Sequence, residues 1–178
     1  EEFLANEPVT ALTRIQTLIR YLNTDMDTSF IITMAPVAFS LIEDSPGMGG
    51  FVYKSLVSSP EGQRINWFNV QAYGCYDAKT YKMIINNGFP AEKIVFGMLG
   101  DLFKTATMFA DAMHELDKIV CAYHDDFAGA VLWEYGDTQI DPVAWGQAVQ
   151  RAIVAGQHGG ISKTSNITGN IFQLLFSK

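Results

Sequence analysis

The alternation of buried-strand patterns with helical patterns restricts this chain to a parallel α/β architecture. Four nearly continuous apolar segments of this chain are typical of strands that are covered on both faces. They lie at residues 30–38, 65–73, 93–99 and 128–135. Because a helical stretch separates each strand from the next, we expect right-handed crossovers and a parallel sheet.

The helices are predicted from the spacing of apolar residues and from the residues that begin and end them. Apolar side chains recur every three or four positions in residues 8–23, which predicts an amphipathic helix with Pro8 in its first turn. Further helices are expected at residues 51–58, 77–87, 105–123 and 141–155. The apolar tail at residues 171–176 is expected to pack against the rest of the chain.

The length of the chain leaves two arrangements of these strands open. The 178 residues are fewer than a closed eight-stranded barrel uses, which is about 250. A small open α/β sheet and one half of a barrel both fit four strands. We favour the half barrel, with its first strands missing from this chain. Because such a half barrel exposes strand edges and apolar surface, we expect it to fold poorly by itself.

Composition and cysteine spacing exclude several classes of partner and site. A net charge of −7 argues against nucleic acid, which requires clustered Lys and Arg. No apolar run reaches the roughly 18 residues of a membrane span. Cys75 and Cys121 lack the spacing of a zinc site, and we expect them to be unpaired, with Cys121 as a small buried residue of a helix. Asn166 lies in a glycosylation triplet, which has meaning only if the protein is secreted.

Polar and aromatic residues lie at the ends of two predicted strands. Asn69, Gln71 and Tyr73 alternate along one strand and therefore share a face, and Trp133 and Glu134 end another. The carboxyl ends of parallel strands form one edge of a barrel, where active sites lie. Each residue also has a purely structural interpretation, as a half-buried tyrosine, an internal amide network or a packed tryptophan.

Three segments together resemble the second half of glycoside hydrolase family 18. They are ITMAPVA at residues 32–38, INWFNVQAYG at 65–74 and GAVLWEY at 129–135. The resemblance implies the second half of a (β/α)8 TIM barrel, from the end of strand 4 to helix 8. Residues 1–178 would then be a partial catalytic domain.

The same resemblance implies a set of site residues. The family hydrolyses its substrates with retention, using the substrate's own acetamide as nucleophile. Glu1 would match the catalytic acid, and Tyr73 would hold the acetamide oxygen. Trp133 would form the floor under the sugar.

Asn69, Gln71, Met34 and Glu134 are expected to bind substrate around the same sugar. The sequence departs from the family pattern at Ala72, where a Phe is usual, and at Gly136-Asp137, where Phe-Asn is usual. Both positions lie near the rim, so the departures affect the choice of substrate.

The resemblance therefore implies cleavage of a β-1,4 bond after N-acetylglucosamine, by an endo-β-N-acetylglucosaminidase or a chitinase. The partner would be an N-acetylglucosamine-containing glycan, either an N-glycan core or chitin, with no cofactor and no metal. A secreted monomer is expected, and this chain alone is expected to be inactive. Two alternatives stay open: a lectin-like family member that has lost catalysis, and a plain α/β domain whose aromatic residues are core.

Overall fold

A computed structural model describes residues 7–27, 29–134, 136, 141–159 and 171–174 of the chain, with backbone only at 157–159 and 171–174. Within these residues a five-stranded parallel sheet has its strands in the order of the sequence. The strands are β1 (Thr33–Met34), β2 (Trp67–Gln71), β3 (Ile94–Leu99), β4 (Gly129–Trp133) and β5 (Ile171–Leu174). The predicted α/β class with a parallel sheet is confirmed.

Six α-helices are described beside the sheet. They are α1 (Pro8–Asp25), α2 (Ala38–Ile42), α3 (Tyr53–Val57), α4 (Ala78–Asn86), α5 (Ala106–Tyr123) and α6 (Pro142–Gly159). Short 3-10 helices occupy Gly62–Arg64, Ala91–Lys93, Gly100–Leu102 and His124–Asp126. Among the described helices, none combines the length and hydropathy that a membrane span requires.

The two faces of the sheet are built differently. Phe68 and Val70 of β2 and Phe96 of β3 belong to the main apolar core, and they are at most 1% exposed. The residues between them face the other side, where Val95 and Val131 form a small second cluster against Trp67. Because strand side chains alternate, the second face carries the polar residues of β2.

Capping fixes where α4 begins after β2. The Oδ1 atom of Asp77 accepts a hydrogen bond from the backbone N–H of Thr80 at 2.7 Å. The backbone N–H of Ala78, which has no partner within the helix, donates to Oε2 of Glu115 on α5 at 2.9 Å. These bonds satisfy backbone groups that a helix leaves unpaired at its start. They also hold the turn between β2 and α4 in place, and this turn contains Tyr73.

Several predicted elements differ from the observed ones. β1 contains two residues instead of nine, and α2 begins at Ala38, the last residue of that predicted strand. The apolar tail supplies a fifth strand, β5, which pairs with β4. Cys75 and Cys121 are both free thiols, as expected, but Cys121 is exposed, so its predicted burial is wrong.

Candidate active site

The second face of β2 presents polar side chains that are held by specific hydrogen bonds. The indole Nε1–H of Trp67 donates to Oδ1 of Asn69 at 3.1 Å. The Nε2 group of Gln71 donates to the backbone carbonyl of Ala35 at 2.5 Å. Asn69 is only 6% exposed, so the bond from Trp67 removes part of the cost of burying its amide.

Tyr73 lies just beyond the end of β2. The strand ends at Gln71, and the N–H of Ala72 continues the ladder with a 3.1 Å bond to the carbonyl of Gly97 on β3. A turn then begins, in which Gly74 has a φ of 77° that favours glycine. Because Tyr73 lies beyond the strand, its predicted shared face with Asn69 and Gln71 stays a prediction.

The end of β4 brings an exposed aromatic residue and a carboxylate to the same edge. Trp133 pairs in register with Leu99 of β3 and is 40% exposed, which is unusual for so large an apolar side chain. The peptide bond between Trp133 and Glu134 is cis. Oε2 of Glu134 is buried and has no hydrogen-bond partner within the described residues. A buried oxygen of this kind is suited to accept a hydrogen bond from a ligand.

Tyr73 and Glu134 are close enough to interact electrostatically. Burial is the larger cause and the negative charge of Glu134 the smaller one, and together they raise the pKa of Tyr73 to about 12. The phenol is therefore protonated at neutral pH and can donate a hydrogen bond. The ends of β2 and β4 thus contribute a donor and an acceptor to one region.

Two predicted site residues are not placed in this region. Met34 pairs in register with Phe68 and lies 6% exposed in the main core, on the face opposite Asn69. Sugar contact by Met34 therefore has no support from its position. Glu1 lies outside the described residues, so its predicted role as the acid stays a prediction.

A cleft of about 390 Å³ lies beside this region. It lies between the turn after β2, the segment after β3 and helix α5, with Tyr76, Leu99, Phe103, Met108 and Asp111 among its lining residues. The lining residues are far apart in sequence and follow no single period, so no pattern indicates them. Within the described part of the chain, no three His, Cys, Asp or Glu side chains are grouped as a metal site.

Comparison with known proteins identifies two solved structures with a similar fold. One is a fungal endo-β-N-acetylglucosaminidase from glycosyl hydrolase family 18, which is 29% identical with a TM-score of 0.64 and covers 84% of this chain and 53% of its own. The other is the chitinase ChiC from Aspergillus fumigatus, which is 25% identical with a TM-score of 0.59 and covers 80% of this chain and 54% of its own. The chain thus spans about half the length of each structure. No family model and no curated protein sequence matches it.

Proposed function

We propose that this chain is part of a glycosidase. The proposal starts from its confirmed resemblance to the endo-β-N-acetylglucosaminidases and chitinases of glycoside hydrolase family 18. The substrate would be a glycan that contains N-acetylglucosamine, cleaved at a β-1,4 bond. The observation that carries the proposal is the proximity of Tyr73 to Glu134, with Trp133 adjacent in the chain, at the carboxyl edge of a sheet that matches these structures. That edge is where barrel enzymes hold their substrates.

Each residue at this edge has a role that fits its chemistry. The hydroxyl of Tyr73 donates a hydrogen bond to the acetamide oxygen and holds this oxygen in line with the anomeric carbon. Trp133 offers a flat apolar surface to the C–H face of the sugar. Oε2 of Glu134 accepts a hydrogen bond from a sugar hydroxyl or amide group, which satisfies its buried lone pairs.

The proposed reaction is retaining and uses the substrate's acetamide as the nucleophile. Glu1 protonates the leaving oxygen and then activates water, which requires a pKa near the working pH. Its part in the proposal rests on the sequence resemblance alone.

We further propose that the sheet is the second half of a barrel. Within the described residues, β1 pairs with a neighbour on one side only, and its surroundings expose Phe30 by 41%, Ile31 by 55% and Phe39 by 59%. A further strand beside β1 would bury this apolar surface and pair the edge. A secreted, monomeric protein follows from the same resemblance and is part of the proposal.

Incubation of the natural full-length protein with a high-mannose glycoprotein and with chitin oligomers tests this function. Mass spectrometry of the products separates the two activities, because an endo-β-N-acetylglucosaminidase leaves one N-acetylglucosamine on the glycoprotein. Release of neither product, with no glycan binding, would contradict the proposal. Binding without turnover would favour the lectin-like alternative.

Two variants connect this activity to the site. Tyr73→Phe removes one hydroxyl that holds the reacting group, and we expect kcat to fall by about a hundredfold. Trp133→Ala removes the platform, and we expect KM to rise roughly tenfold. Tyr21→Phe is the matched control for the tyrosine, since Tyr21 is 64% exposed on α1. Unchanged kinetics in both site variants would remove these residues from the site.

A further inference from the structure

The hydrogen bonds of Asn69 and Gln71 settle which end of each amide is occupied by the protein. An indole N–H donates and never accepts, so the atom of Asn69 that faces Trp67 must be its oxygen. A backbone carbonyl accepts and never donates, so the atom of Gln71 that faces Ala35 must be its nitrogen. The two amides are therefore oriented in opposite senses by chemistry alone.

The other end of each amide is left for a ligand. Within the described residues, neither the Nδ2 group of Asn69 nor the Oε1 atom of Gln71 has a hydrogen-bond partner. Asn69 thus offers a donor, and Gln71 offers an acceptor two residues later on the same face of β2. At the strand ends, Tyr73 offers a second donor through its protonated hydroxyl, and Glu134 offers a second acceptor through its unpartnered carboxylate oxygen.

We propose that Trp67 is a positioning residue that fixes Asn69 as a hydrogen-bond donor to the sugar, while the carbonyl of Ala35 fixes Gln71 as an acceptor. This inference rests on the proposed function and deepens it. The site then selects a ligand that presents acceptors and donors side by side. An N-acetylhexosamine has both, in its acetamide carbonyl and in its amide N–H and hydroxyls.

Trp67 also packs against Val95, Ala128 and Val131, so a structural role has to be separated from the positioning role. Trp67→Phe keeps an aromatic ring in this cluster but removes the N–H group together with the five-membered ring, so its packing loss is measured in the Asn69→Ala background. Without the N–H group, the Asn69 amide rotates freely between two orientations, of which one presents the wrong atom. The positioning role predicts a defect in substrate binding that depends on Asn69, whereas a packing role predicts a defect that does not.

A double-mutant cycle in the full-length protein with the N-acetylglucosamine tetramer as substrate makes this distinction. We expect Trp67→Phe to lower kcat/KM about fivefold, mostly through KM. In an Asn69→Ala background the same substitution should have no further effect. Trp145→Phe is the matched control, because its indole N–H is bonded to the sulfur of Met98 in the main core. It should leave KM unchanged. An equal loss from Trp67→Phe in both backgrounds would overturn the proposal.

Asn69→Asp provides an independent test if Trp67→Phe folds poorly. The aspartate can still accept the bond from Trp67, but it has no N–H to offer the sugar. We expect it to lose as much activity as Asn69→Ala, and wild-type activity in Asn69→Asp would overturn the proposal.

If the wild-type protein neither cleaves nor binds the tetramer or the high-mannose glycoprotein, the proposed function fails, and the orientation of Asn69 is then tested separately. The Asn69 side-chain amide signals in a ¹⁵N spectrum should then shift in Trp67→Phe and stay in place in Trp145→Phe. Unshifted Asn69 signals in Trp67→Phe would overturn the positioning role itself.

Discussion

The sheet is packed so closely around Gly97 that it leaves no room for a side chain there. It lies in the middle of β3, in register with Gln71 on β2 and Val131 on β4. A Cβ atom on Gly97 would lie 2.4 Å from the carbonyl oxygen of Val70 and 3.2 Å from Cγ1 of Val131. Real Cβ atoms do not approach within 3.0 Å, so β2 and β3 would have to separate by about 0.6 Å.

The cost of Gly97→Ala follows from this contact. A shift of packed backbone costs about 1–3 kcal/mol, and the upper end applies because the atom that Cβ meets is backbone of a buried strand. The unfolded chain loses freedom when alanine replaces glycine, which offsets about 0.5–1 kcal/mol. We therefore expect the free energy of unfolding to fall by about 2 kcal/mol, which lowers Tm by roughly 4–8 °C.

Urea unfolding followed by circular dichroism measures this loss in the purified full-length protein. Gly136→Ala is the matched control, because a Cβ there meets no atom of the described residues within 4 Å. We expect the control to stay within about 0.5 kcal/mol of wild type. A Gly97→Ala protein as stable as the control would refute the reasoning. KM for the tetramer should also rise in Gly97→Ala, because the shift displaces Gln71.

The remaining predictions concern a helix cap and two titrating groups. Asp77→Ala removes the bond to the N–H of Thr80, so the free energy of unfolding should fall by about 1 kcal/mol in the same urea assay. The hydrogen bond from the first N–H of α4 holds the pKa of Glu115 below its usual value. The stabilisation of the fold by the Glu115 carboxylate is therefore present above pH 4.5 and lost as pH falls. Comparing the stability of wild type and Glu115→Gln from about pH 7 to 3 detects this loss. The pKa of Tyr73 should lie near 12 in ¹³C tyrosine NMR, and Glu134→Gln should lower it only in part, because burial is the larger cause. Since the pKa of Tyr73 is raised by folding, stability should fall as pH rises from 10 towards 12, and a flat profile there would contradict this assignment.

The fold was largely predictable because its elements are long and periodic. The strand at residues 93–99 is buried along its length, so its apolar run alone identifies it. The first strand was predicted too long because its apolar run includes exposed residues such as Ile31, which a buried strand would cover. β5 is short and contains Gln173, so its apolar periodicity is too weak to distinguish a strand from an irregular packed tail.

The candidate site was predictable only in part. Alternation along β2 placed Asn69 and Gln71 on one face, and the same rule could have paired Trp67 with Asn69. Tyr73 and Glu134 are about 60 residues apart, so no local pattern brings them together. Their proximity was expected because both lie at the carboxyl ends of predicted parallel strands, which meet at one edge of a barrel.

The three tryptophans of the chain allow the most direct test of the carbohydrate site. Trp67 and Trp133 lie at the proposed site, whereas the indole of Trp145 is buried in the main core. Titration of the ¹⁵N-labelled full-length protein with the N-acetylglucosamine tetramer reports on all three indole N–H signals. We predict that the signals of Trp67 and Trp133 shift together along one binding curve while that of Trp145 stays in place. Three unshifted signals at saturating tetramer, or a shift of Trp145 alone, would contradict a sugar site at this edge of the sheet.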